Sequence, residues 1–83
     1  MSRNAQALCV KAIALLQKER ERRKLSKYYI AQHSGLSPQM IAYVERGERN
    51  PTLETVLRMA EAMNVNFEDI IKRARRELPK SAK

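Results

Sequence analysis

Between Arg3 and Lys24, apolar residues recur at three- and four-residue intervals: Ala5, Leu8, Cys9, Ala12, Ile13 and Leu16. That spacing draws one stripe along a helix and predicts a long first helix over 3–24. Its second half, Gln17 to Lys24, is almost wholly charged, and Leu25 turns back toward the core. A glycine commonly closes such a helix, because it enters the left-handed region without strain. Lys24 holds that place here, so either the stop is strained or the helix runs on. Ser26 is suited to cap a second helix over 26–33, with Ile30 and Ala31 turned inward. Gly35 ends it, and Ser37-Pro38 restarts the chain as N-cap and first helical residue of a third helix over 38–45. Ile41 and Val44 face inward there, and Gly47 stops the helix. Thr52 caps a fourth helix through Met63, whose expected buried stripe is Leu53, Val56, Leu57, Ala60 and Met63. Asn64 ends it, Val65 packs, and Asn66 caps a fifth helix carrying Phe67, Ile70, Ile71 and Ala74. The pattern predicts an all-α domain of five helices over 1–76, followed by a basic tail over 77–83, with no internal repeat.

Composition narrows the partners rather than the fold. Two glycines and three prolines suit a few helices better than many short strands. The longest apolar run, Ala12–Leu16, is far short of the roughly 18 residues that span a bilayer. Lys11 interrupts the apolar stretch after Arg3, and no small-residue cleavage site follows, so a signal peptide is not expected. Seventeen Lys and Arg against nine acids give a net charge of +8, which suits a nucleic acid, an anionic membrane or an acidic protein. A single cysteine, Cys9, cannot form an internal disulfide, which fits a reducing cytosol. It reads as a small apolar residue on a helix face. One His and one Cys cannot supply the ligands of an ordinary zinc site, so no metal and no cofactor is expected.

The informative unit is Lys27 to Arg46, two helices of about eight residues around a sharp turn at Gly35. Ala31 is small enough for the two helices to cross closely. Ile30, Leu36, Ile41 and Val44 anchor both on one core, which holds the outer face of the second helix rigid. A rigid helix of this width fits the DNA major groove.

The stretch from Leu16 to about Ile71 resembles the Cro/CI-type (XRE) helix-turn-helix family of phage repressors and bacterial regulators. The resemblance is carried by Leu25-Ser26, Ile30-Ala31, Gly35-Leu36-Ser37, Ile41, Glu45-Arg46-Gly47, Asn50-Pro51-Thr52-Leu53 and the Leu57/Ala60/Val65 set. It implies a five-helix lambda-repressor-like domain with the helix-turn-helix at helices 2–3. It also implies a homodimer that binds a pseudo-palindromic double-stranded operator as a transcriptional regulator, read here as a repressor. Lys27, at the first position of the second helix, would hold a phosphate as a point charge where Gln is commoner. The base-reading face would comprise Ser37, Gln39, Met40, Ala42 and Tyr43. Gln39 leads it, because an amide can pair twice with adenine N6 and N7. Arg46, Arg49 and Asn50 would clamp the sugar–phosphate backbone. Arg20 and Glu45 match positions that form a structural ion pair in relatives. Phe67, Ile70 and Ile71 are more apolar than a peripheral helix needs, and part of that face is expected to be the dimer seam. Ser34, Glu19 and Lys24 depart from the family pattern.

Other features read as ordinary surface. Tyr28 and Tyr29 are expected to be partly buried rings, and His33 a solvent-facing helix residue. The Arg20–Lys24 run is expected to be a solvated helix end. Catalysis needs converging groups in a pocket, and the acids here are scattered or adjacent on one helix, so an enzyme is not expected. The rival reading is an antitoxin or adaptor of the same fold whose main partner is another protein. The expected location is the cytoplasm of a bacterium, from a chromosomal or phage gene, with no membrane partner.

Overall fold

The computed structural model describes residues 2–48 and 50–78, with the side chains of residues 2 and 3 excepted. Five helices follow in order: α1 (Ser2–Arg22), α2 (Lys27–Ser34), α3 (Pro38–Glu45), α4 (Leu53–Ala62) and α5 (Phe67–Glu77). This is the all-α, five-helix arrangement read from the sequence. Among the described residues, no helix is long and apolar enough to cross a membrane.

The helix starts follow from single side chains. The hydroxyls of Ser26, Ser37 and Thr52 accept bonds from the backbone N–H of Tyr29, Met40 and Thr55, at 2.9, 3.0 and 3.1 Å. Each satisfies one of the donors left free at a helix N-terminus. Asn66 departs from its expected role. Its side chain makes no capping bond, and its backbone carbonyl accepts from Asp69 N instead.

The helix ends share one device. Lys24, Gly35, Gly47 and Asn64 have φ of 58°, 79°, 76° and 61°, so each of the first four helices closes on a left-handed residue. α1 therefore stops by strain and does not run on. Leu25 N–H reaches back to Arg20 O and Lys24 N–H to Glu21 O, the paired bonds of a Schellman closure. At Gly35 a side chain would be doubly unwelcome. An added Cβ would also meet Arg58 Nη1 at 3.0 Å.

The core is drawn from all five helices. Leu16 of α1, Ile30 of α2, and Ile41 and Val44 of α3 are its largest fully buried side chains. α1 lies along α5 and touches α3, α2 sits between α3 and α4, and α4 leans on α5. Ala31 of α2, with its single methyl, is buried in the same core. Two stripes are rotated from expectation. In α1, Ala5 and Cys9 are exposed, while Leu15 is buried beside Ala12 and Leu16. In α4, Leu53 and Leu57 face solvent, and Met59 joins Val56, Ala60 and Met63 inside. Both helices carry apolar residues around much of their girth, so periodicity alone leaves the phase open. α5 and α2 select it by what they cover.

Long cations finish the assembly. Arg23 donates to Met63 O at 2.9 Å, closing the end of α4, and Arg58 donates to Ser34 O at 3.0 Å, closing the end of α2. The charged end of α1 is thus partly structural, not wholly solvated as expected. Glu19 holds Arg23 at 2.9 Å and also pairs with Arg22. Lys11 pairs with Glu77 at 3.2 Å, joining α1 to the last turn of α5. Ser34, polar where an apolar residue is commoner, is buried, and its hydroxyl donates to Ala31 O and accepts from Leu36 N. Tyr28 and Tyr29 are more exposed than expected. The Tyr28 hydroxyl accepts from Gln32, and the Tyr29 ring stacks on His33 with centroids 4.0 Å apart.

Hydrogen bonds from Arg22 and Arg23 draw the Glu19 carboxyl from 4.5 to about 2. A carboxylate with a depressed native pKa stabilises the fold fully above its unfolded pKa. That contribution is lost as pH falls through the native value. Thermal melts of the wild type should therefore lose midpoint progressively between about pH 5 and pH 2, and Glu19→Gln should flatten that loss. An unchanged acid limb in Glu19→Gln would assign the acid sensitivity elsewhere.

Candidate nucleic-acid interface

The site is built on α3. Pro38 occupies its first turn, where its missing N–H leaves nothing unsatisfied. Ile41 and Val44, 0% and 1% exposed, fix the inner side to the core. Side chains on the opposite side therefore have nowhere to turn but outward. Gln39 and Ser37 are exposed there, and Ala42 and Tyr43 are half-buried. Met40 sits on the flank, about 100° round the helix from Ile41, and packs against the core. Met40 is half-buried, as Ala42 and Tyr43 are, so part of its side chain stays outside the core.

The C-terminal end of α3 is fastened by charge. Arg20 Nε and Nη2 donate to the two Glu45 carboxylate oxygens at 2.7 and 2.9 Å, and Arg20 Nη1 donates to Leu25 O at 2.9 Å. The Arg20 and Glu45 side chains are 11% and 4% exposed, so this bidentate pair is nearly dry. Bonding to Glu45 raises the pKa of Arg20 against the opposing effect of burial. The pair expected from the resemblance is therefore in place. It links α1, the α1–α2 link and α3 in one contact.

The outer face carries its own bonds. Gln39 Nε2 donates to the Tyr43 hydroxyl at 2.6 Å, one helical turn along. The Arg46 guanidinium lies 5.6 Å from the centre of the Tyr43 ring, within cation–π range. Arg46 also donates to both carboxylate oxygens of Glu48, at 2.9 and 3.2 Å. Sequence reasoning missed Glu48, although an acid two residues beyond Arg46 was the available signal. Lys27 and Asn50 are exposed, at the start of α2 and before α4. Arg49 and residues 79–83 of the expected basic tail lie outside the described residues. On α5, Ile70 is buried in the core at 3% exposure, which removes it from any seam between copies. Phe67 and Ile71 are half-buried against that core and keep part of their surface outside. Among the described residues, no cluster of His, Cys, Asp or Glu is placed to hold a metal ion.

Residues 16–70 match the helix-turn-helix family model. The chain belongs to the Cro/CI-type (XRE) helix-turn-helix family. The matched span opens at Leu16 and closes at Ile70, so it takes in α2, α3 and α4 whole. Among curated proteins, the chain is similar to an uncharacterised HTH-type transcriptional regulator, y4dJ, of Sinorhizobium fredii (strain NBRC 101917 / NGR234). The two are 33% identical over 52 residues, which is 63% of this chain and 68% of that protein. No solved structure matches the chain at a significant level.

Breaking a buried pair from one side leaves the other charge stranded. Glu45→Ala should cost about 3 kcal/mol or more in urea unfolding. The double variant Arg20→Met/Glu45→Leu should recover most of that loss. Equal losses in the two variants would mean that packing, not the stranded guanidinium, sets the cost.

Proposed function

We infer that this helix-turn-helix protein is a sequence-specific, double-stranded DNA-binding transcriptional regulator, acting as a repressor and as a homodimer. One observation carries the reading: α3 is anchored by fully buried Ile41 and Val44, and its opposite side offers an amide, a phenol and a cation to solvent. A helix held this way keeps base-reading groups in fixed register along the major groove. Net charge +8 supplies the long-range attraction to phosphate.

In this reading, Gln39 pairs with a base edge, and Ser37, Met40, Ala42 and Tyr43 contact neighbouring bases or phosphates. Lys27, Arg46, Arg49 and Asn50 hold the backbone. Repression is by occupancy, with no chemical step. Two copies meet through the outer rim of α5 at Phe67 and Ile71 and set their α3 helices about 34 Å apart, one turn of DNA. The exposed leucines Leu53 and Leu57 of α4 favour a second reading, an adaptor that meets another protein on that face. Gel shifts with and without a co-purified protein separate the two.

The test is selection of bound sites from a random duplex library, followed by titration of the selected duplex. Affinity should fall roughly a thousandfold or more between 50 and 200 mM salt if about six phosphates are neutralised. Gln39→Ala should cost on the order of 1–3 kcal/mol at one base position, and Lys27→Ala should weaken all sequences about equally. Arg46 must exchange a carboxylate for a phosphate on binding. Glu48→Gln should therefore tighten binding to every duplex by about three- to tenfold at low salt. A flat salt response, or no duplex bound at low ionic strength, would defeat the reading.

A further inference from the structure

We propose that Tyr43 is a positioning residue that makes Gln39 select adenine against guanine. The inference rests on the DNA-binding reading above and concerns one hydrogen bond, Gln39 Nε2 to the Tyr43 hydroxyl at 2.6 Å.

A carboxamide is an ambiguous reader. Its NH2 carries two donors and its oxygen accepts, so a freely turning Gln can satisfy more than one base. Adenine presents N7 as acceptor and N6–H as donor in the major groove, and asks the amide for one donor and one acceptor. Guanine presents N7 and O6, both acceptors, and asks for two donors. With one Nε2 proton committed to Tyr43, Gln39 has one donor and its Oε1 acceptor left. That remainder matches adenine. Guanine would leave one acceptor unpaired in a desolvated groove, which is where discrimination is largest.

The local geometry suits this role. Gln39 and Tyr43 stand four residues apart on one helix face, the spacing at which side chains meet. Tyr43 is half-buried and its ring lies beside the Arg46 guanidinium, so the phenol is the better-held partner and exposed Gln39 the one being oriented. The bond is solvent-exposed in the free protein and adds little to stability there. Its effect is to order a flexible side chain before DNA arrives, which lowers the entropy lost on binding.

The experiment uses the duplex selected by the wild-type protein and its three single-base-pair variants at the position where Gln39→Ala relaxes preference. Wild type, Tyr43→Phe, Gln39→Ala and the double variant are titrated against all four, with a thermal melt of each. Tyr43→Phe should melt as the wild type does and lower the adenine-to-guanine affinity ratio by about three- to tenfold, the worth of one hydrogen bond. The ratios of adenine to thymine and to cytosine should change less. In the Gln39→Ala background, Tyr43→Phe should alter none of these ratios. In the unbound protein, the two Gln39 side-chain amide proton resonances should move toward each other in Tyr43→Phe. An unchanged adenine-to-guanine ratio, with Gln39→Ala still base-selective, overturns the positioning role and leaves the DNA reading intact. Equal weakening of all four duplexes by Tyr43→Phe makes the phenol a phosphate contact and also overturns it. Uniform weakening by Gln39→Ala removes the base-reading assignment and this inference together.

Discussion

An eight-residue helix does not persist in water by its own hydrogen bonds, since nucleation alone outweighs what two turns return. α3 has eight residues, Pro38 to Glu45. Its existence, and the direction of its outer face, are therefore properties of its surroundings. Three fastenings supply them. Ser37 and Pro38 fix where it starts, Ile41 and Val44 fix which side is hidden, and Glu45 fixes where its last turn lies against Arg20. α2 is equally short and depends on the same neighbours, with Arg58 holding its final carbonyl, that of Ser34. The rest of the molecule is scaffolding for these two helices. α1 and α5 pack along one another and complete the core that receives Ile30, Ile41 and Val44.

What could be read from the sequence was what local chemistry decides. Ser26, Ser37 and Thr52 cap within three residues of themselves, and Gly35 and Gly47 close helices through their own φ, so no distant part of the chain has a say. The bounds of α3 followed almost completely. The buried phases of α1 and α4 were harder. Leu15 and Met59 lie inside while Cys9 and Leu57 do not, although all four are apolar and helical. Which side of such a helix is covered depends on where another helix crosses it, and that is settled only in three dimensions.

The polar contacts divide the same way. Arg20–Glu45 spans 25 positions, and only the family resemblance pointed to it. Arg23 to Met63 spans 40 and Arg58 to Ser34 spans 24, and nothing local marked either. A long cation has many places to put its head, so its partner is set by the assembled fold. On the recognition side, residue types were legible and their wiring was not. Gln39 stood out as an amide, Tyr43 as a ring and Arg46 as a cation. Their linkage through Tyr43, whose hydroxyl meets Gln39 and whose ring meets Arg46, and the engagement of Arg46 by Glu48, are set only by the assembled fold.

Among the described residues, two non-glycine side chains close helices at positive φ, and Lys24 is less suited to that region than Asn64. The Lys24 φ of 58° carries a steric cost of about 1 kcal/mol that glycine would not meet, and the Schellman bonds from Leu25 and Lys24 tolerate that cost. The residue is exposed in the link between α1 and α2, next to Leu25, whose carbonyl accepts from the same Arg20 that holds Glu45 at the end of α3. The chain thus keeps unused headroom in that link, one residue from the contact that fastens α3. A lineage under heat or proteolytic pressure could harden the protein there by a single replacement that changes no residue of α3.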